Sequence, residues 1–180
     1  VILEKIDAQL YLGTEIECCE WTLPQTFEKL RAGIMHSLGN SKYILLEFDT
    51  DIGAKELLCY VKQLSEDTGY IPVIAHVERY PSLDEDPGAL NVLKNWGIPL
   101  QINAYSLVEE KNQNVRDFAR KLLEHKLVTF IGSDAHRLDH RPPNIQSGVE
   151  YIYANCDIAY ANDVCYHNAE KLLLKKWPFC

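Results

Sequence analysis

Glu15, Glu47, His76, Asn103 and Asp134 each close a short apolar run, at successive separations of 32, 29, 27 and 31 residues. His136 follows Asp134 by two positions. Carboxylates gathered at one site repel one another, and burial penalises each ionised form. A divalent cation relieves both costs, and a carboxylate and imidazole set without thiolate suits Mn, Fe, Zn or Mg rather than a soft metal. The expected ligands are Glu15, Glu47, His76, Asp134 and His136. An extended Ser133-Asp134-Ala135-His136 segment would place Asp134 and His136 on one face. Taken singly, each residue has a plainer reading: Glu15 as a surface charge, His76 as a hydrogen-bonded core histidine, Asp134 as a turn cap. The shared register is what lifts the set above its members.

Two arginines extend the chemistry. Arg79 follows His76 by three residues, and Arg141 follows His136 by five. Guanidinium groups beside a metal cluster suit phosphate through bidentate hydrogen bonds; the alternative is surface pairing with Glu78 and Asp139. Together the groups point to phosphoester hydrolysis, with metal-activated water as nucleophile and arginine on the equatorial oxygens. Other phosphate chemistries drop out. Neither G-x-x-x-x-G-K-[ST] nor G-x-G-x-x-G occurs, and there is no G-x-S-x-G elbow. A cysteinyl phosphatase needs Arg six positions after Cys, but Cys18, Cys19, Cys59, Cys156 and Cys165 lead to Pro24, Gln25, Ser65, Asn162 and Lys171.

Apolar runs rich in Ile, Val, Leu and Tyr predict strands over Gln9–Glu15, Tyr43–Phe48, Ile71–His76, Pro99–Asn103 and Leu127–Gly132. The near-continuous hydrophobicity of Tyr43-Ile-Leu-Leu and Val128-Thr-Phe-Ile suits parallel strands covered on both faces. Between them, helical periodicity marks Ala54–Glu66, Ala89–Trp96 and Asn114–His125, and a last helix over Asn168–Lys175 has Asn168 as its expected N-cap. The separations noted above correspond to one βα unit each. Parallel units bring all strand C-termini to one rim, where barrel active sites lie.

The 180 residues form one expected domain, with 47% from the AVILMFWYC set and enough length for a real core. A net charge of −8, without a Lys/Arg cluster beyond Lys175-Lys176, argues against a nucleic-acid partner. No apolar run approaches the roughly 18 residues of a membrane span, so no membrane insertion is expected and the cytoplasm is the expected location. Six cysteines without a C-x-x-C pair are read as reduced, mostly buried thiols.

Gly13-Thr-Glu-Ile, Leu46-Glu-Phe, Pro72-Val-Ile-Ala-His-Val-Glu-Arg-Tyr80 and Gly132-Ser-Asp-Ala-His, followed by Arg141-Pro-Pro, resemble the bacterial PHP-type protein tyrosine phosphatases of capsule and exopolysaccharide operons. The resemblance runs over essentially the whole chain and includes the closing Asn168-Ala-Glu-Lys-Leu-Leu. It implies a distorted (β/α)7 barrel around up to three metal ions, manganese being the expected one. It further implies that Glu15 bridges two ions, that Glu47 and His76 bind one of them, that Asp134 and His136 complete the cluster, and that Arg79 and Arg141 bind the phosphate. The implied partner is a phosphotyrosine-bearing bacterial tyrosine kinase that regulates polysaccharide synthesis.

The family's opening H-x-H pair is not found here. The histidines are His36, His76, His125, His136, His140 and His167, no two of which flank a single residue. About five of seven βα units are therefore expected, in a single domain over residues 1–180 that is truncated at its N-terminus or completed by another chain in a homo-oligomer. His140 is read as a surface-loop residue rather than a substitute ligand. The alternatives are a small-molecule phosphomonoesterase resembling histidinol phosphatase, and a non-catalytic remnant or interaction module without a complete metal site.

Overall fold

A computed structural model describes residues 9–109, 111–139 and 141–174. The chain is mixed α/β with two small parallel sheets. Strands β1 (Glu15–Glu17), β2 (Tyr43–Glu47) and β3 (Ile71–Ile74) form one sheet in that order, and β4 (Gln101–Asn103) and β5 (Phe130–Gly132) form the other. A single parallel bridge, Ile74 to Leu100, joins the two. Eight helices connect and cover them: α1 (Leu23–Arg31), α2 (Ala54–Thr68), α3 (Pro81–Glu85), α4 (Pro87–Asn95), α5 (Gln113–Glu124), α6 (Gln146–Asn155), α7 (Ile158–Asn162) and α8 (Asn168–Leu173). Among the described residues, no helix is long and apolar enough to cross a membrane.

Strand alternation divides the side chains between two layers. Ile16, Ile44, Leu46, Ile74 and Ile102 join the main core with Leu57, Val61 and Leu64 of α2, Leu90 and Leu93 of α4, and Phe118, Leu122 and Leu123 of α5. On the other face the registers Glu15–Leu45 and Leu45–Val73 make a cross-strand row. Val73 there packs with Tyr43 and with Leu172 of α8 in a second, smaller cluster.

Helices α2 and α5 form where periodicity predicts them. α2 ends at Gly69, whose left-handed backbone (φ 74°) lets its N–H reach Ser65 O at 3.0 Å. α4 begins two residues before its predicted start, because Asp86 accepts from Gly88 N and Ala89 N and Pro87 fits the first turn. The last helix differs more. α7, a π-type stretch Asp163–His167 and α8 run on from one another, and the N-cap is Asp157, which accepts from Tyr160 N at 3.0 Å. Asn168 lies inside this helical run and donates from Nδ2 to Thr129 O at 2.9 Å.

Strand β1 also departs from expectation. Pairing with β2 starts at Glu15, so Glu15 opens the strand rather than closing it. The apolar run before it is exposed, with Leu10 at 93% and Leu12 at 73%, and hydrophobicity alone placed the strand too early. The thiols are free but less buried than expected: Cys18 is buried, Cys59 is exposed, and Cys19, Cys156 and Cys165 are intermediate. His140 lies outside the described residues.

Candidate metal and phosphate site

β3 delivers His76. Ala75 N–H still bonds to Leu46 O at 2.8 Å, after which His76 turns left-handed (φ 33°) and Val77–Arg79 form a 3-10 turn. Such a backbone is costly for a residue with a Cβ and tends to occur at functional sites. Here Gln101 secures it, with Oε1 accepting His76 N–H at 2.7 Å. The imidazole side chain is 5% exposed, and its Nε2 lies 3.3 Å from Glu47 Oε2 and 3.5 Å from Glu15 Oε1. Its Nδ1 lies 3.4 Å from the Tyr80 hydroxyl, which accepts Phe48 N–H at 3.0 Å.

Burial and the nearby Arg79 charge pull the His76 pKa down, but the Glu15 hydrogen bond, with the charges of Glu78 and Glu15, outweighs them and the net shift is upward. Glu15 shifts downward, chiefly through that hydrogen bond and against its own desolvation; the fields of His76, His136 and Arg79 also contribute. One ligand atom from each of Glu15, Glu47 and His76 falls within 4.8 Å of the others. Two carboxylates and an imidazole, all hard or borderline donors, suit a divalent cation.

A second knot forms where β5 ends. Asp134 is left-handed (φ 49°), as is Arg141 (φ 53°). Asp134 Oδ2 meets three donors: Arg141 Nη1 at 2.9 Å, Asn103 Nδ2 at 3.2 Å and Arg79 Nη2 at 3.3 Å. Arg79 Nη2 also donates to the Tyr105 hydroxyl, which lies 3.4 Å from Asn103 Nδ2. The two arginines thus turn toward Asp134, not toward Glu78 and Asp139 on the surface. Glu78 is itself buried; its Oε1 accepts Ser106 Oγ–H at 2.7 Å and Asn103 N–H at 3.1 Å, and burial pushes its pKa up.

The two groups border one cavity of about 220 Å³, which Glu15, His76, Asn103 and Asp134 all line. His136 does not line this cavity. Asp134 and His136 do not share a face through strand alternation, because the left-handed turn at Asp134 breaks the extended segment. Instead His136 Nδ1 lies 2.8 Å from Asp134 O and 3.6 Å from Asp134 Oδ1, with the side chain 51% exposed. Among the described residues the compact donor group is Glu15, Glu47 and His76, without Asp134 or His136. Sequence reasoning gave no role to Tyr80, Gln101 or Tyr105, and took Glu78 only as a surface partner for Arg79. Only Tyr80 carried a local signal, standing four positions after His76.

A sequence model described as "Capsular polysaccharide synthesis, CpsB/CapC" matches residues 2–174. The chain belongs to the CpsB/CapC family. It is similar to the tyrosine-protein phosphatase CpsB of Streptococcus agalactiae serotype III (strain NEM316), 32% identical over 151 residues, 81% of this chain and 62% of the relative. It is also similar to the tyrosine-protein phosphatase YwqE of Bacillus subtilis (strain 168), 40% identical over 148 residues, 79% of this chain and 56% of the relative. A solved structure superposes with a TM-score of 0.78 at 30% identity, covering 93% of this chain and 65% of that one. It comes from crystal structures of YwqE from Bacillus subtilis and CpsB from Streptococcus pneumoniae, described as unique metal-dependent tyrosine phosphatases. This CpsB/CapC chain therefore spans less than two thirds of the length of those relatives.

Proposed function

We propose that this CpsB/CapC chain carries the metal-binding and phosphate-binding part of a metal-dependent protein-tyrosine phosphatase. The observation that carries this reading is the shared cavity, lined both by Glu15 and His76 of the carboxylate–imidazole group and by Asp134, which two arginines hold. The domain over residues 1–180 is read as about five βα units of a PHP-type barrel. Its substrate is read as a phosphotyrosine-bearing bacterial tyrosine kinase that regulates capsule or exopolysaccharide synthesis.

Glu15, Glu47 and His76 would hold the ion, with Asp134 and His136 completing the cluster; Mn²⁺ is the expected metal, and Fe, Zn or Mg are alternatives. Such an ion supplies Lewis-acid polarisation and a water of lowered pKa. The residues themselves do the binding and orienting. Asp134 Oδ2 keeps Arg79 and Arg141 side by side, so their guanidinium groups are already paired when a phosphate arrives. A dianionic phosphate offers more acceptor oxygens than one carboxylate, and bidentate arginine geometry favours the exchange. Tyr80 and Gln101 hold His76 from the ring and backbone sides.

The test combines metal content with turnover. Chain prepared without chelators and dialysed against Mn²⁺ is analysed for metal, then assayed on a phosphotyrosyl peptide and on histidinol phosphate. Bound Mn²⁺ with peptide hydrolysis that falls at least a hundredfold in His76→Ala supports the reading. Absence of metal binding overturns it, and a strong preference for histidinol phosphate moves the site to small phosphomonoesters.

A further inference from the structure

We propose that Tyr105 makes this site selective for aryl phosphates, its ring forming the wall of a subsite that receives the tyrosyl ring of phosphotyrosine. The inference rests on the phosphatase reading above and adds a leaving-group subsite to it. Tyr105 belongs to the 3-10 turn Ala104–Val108 that follows β4. That turn is fixed from three directions. Glu78 binds Asn103 N and Ser106 Oγ, Arg120 donates from Nε and Nη2 to Leu107 O at 3.0 and 2.8 Å, and Gly148 of α6 packs on Ala104. Ala104, Ser106 and Leu107 are fully buried while Tyr105 is half-buried, so one aromatic side chain is presented by an otherwise enclosed turn.

The hydroxyl end of that ring is tied to Arg79, whose guanidinium carbon lies 5.9 Å from the ring centroid. The ring itself lines a cleft of about 460 Å³, together with Ser133, Arg141 and Pro142. That volume lies within the roughly 300–1,000 Å³ of ordinary ligand pockets. Arg141 lines the cleft directly, whereas Arg79 stands behind it, linked through the Tyr105 hydroxyl. A phosphate on these two arginines, both bound to Asp134 of the Glu15 and His76 cavity, adjoins this cleft at Arg141. The ester substituent then extends into the cleft, along Tyr105 and Pro142, where an aromatic ring can pack in an offset or edge-on arrangement. A short alkyl ester does not reach that wall.

The experiment measures affinity by calorimetry in the Mn²⁺-supplemented chain, for inorganic phosphate, phosphoserine and phosphotyrosine. Wild type is expected to bind phosphotyrosine up to about tenfold more tightly than phosphoserine, the scale of one good aromatic contact. Tyr105→Phe keeps the ring but removes the hydroxyl that Arg79 meets, leaving Arg79 on Asp134 alone; it should weaken all three anions by a similar factor and preserve the preference. Tyr105→Ala should bring the phosphotyrosine-to-phosphoserine ratio near one, and Tyr105→Leu, which keeps the apolar bulk, should do the same if the alanine variant fails to fold. A ratio that survives in both, or a wild type without preference, overturns the subsite while leaving the phosphate site standing. A wild type that binds no inorganic phosphate overturns the phosphatase reading, and the subsite with it.

Discussion

His76 stands between two carboxylates and a buried phenol, and each neighbour sets a different property. The pairing with Glu15 sets a pH window in the metal-free chain. Glu15 is shifted below its ordinary 4.5, so its contribution is present above pH 4.5 and lost as pH falls through the lowered value. His76 is shifted above its ordinary 6.5, so its contribution is complete below pH 6.5 and lost as pH rises through the raised value. The pair therefore stabilises most between about pH 4.5 and 6.5. Thermal unfolding with EDTA should show the largest gap between wild type and Glu15→Gln in that window; a gap that stays constant from pH 4 to 8 would exclude the pairing. Tyr80 sets orientation. Tyr80→Phe removes the group facing Nδ1 and should weaken Mn²⁺ binding by about tenfold or more, read by calorimetry. It also strands the buried Phe48 N–H, at about 1–3 kcal/mol of stability.

The elements that position these residues were legible where pattern and packing agree. Leu57, Val61 and Leu64 repeat at helical spacing and are all buried, so α2 could be read directly. β2 and β3 could be read from unbroken apolar runs. β1 could not, because Leu10 and Leu12 look like strand and stand in solvent. α6 carries Tyr151, Tyr153 and Asn155 with only Gly148 and Ile152 buried, a weak stripe that periodicity passes over. The site divides in the same way. The spacing brought Glu47 and His76 together with Glu15, although Glu15 opens its strand and Asp134 stands outside the compact group, whereas Tyr105 acquires its place only when the turns after β3 and β4 meet. The turn after β4 depends on α6. A Cβ at Gly148 would come within 2.5 Å of Ala104 O and 2.7 Å of Ala104 Cα, both backbone atoms that cannot swing aside. Gly148→Ala should cost about 1–3 kcal/mol by overpacking, read in a denaturant titration. It should also weaken phosphate binding, because the displaced turn carries Tyr105 away from Arg79.

At the scale of the whole molecule, metal binding and folding share one free energy. A ligand that binds only the folded chain adds about 2.7 kcal/mol at one hundred times its Kd. In a domain of this size that raises the midpoint by about 5–10 °C. Mn²⁺ should produce such a rise in a thermal-shift experiment, and His76→Ala should abolish it; an equal rise in the variant would place the ion elsewhere. The single bridge between Ile74 and Leu100 has a mechanical corollary. The candidate metal donors Glu15, Glu47 and His76 stand on the first sheet and its following turn, whereas Asp134 and Tyr105 follow the strands of the second. Arg79 reaches across that seam to Asp134, and an anion clasped by Arg79 and Arg141 would become a suture between two halves that, among the described residues, the backbone ladder stitches once. Occupying the site should therefore slow amide hydrogen exchange at Ile74, whose N–H bonds to Pro99 O across the seam.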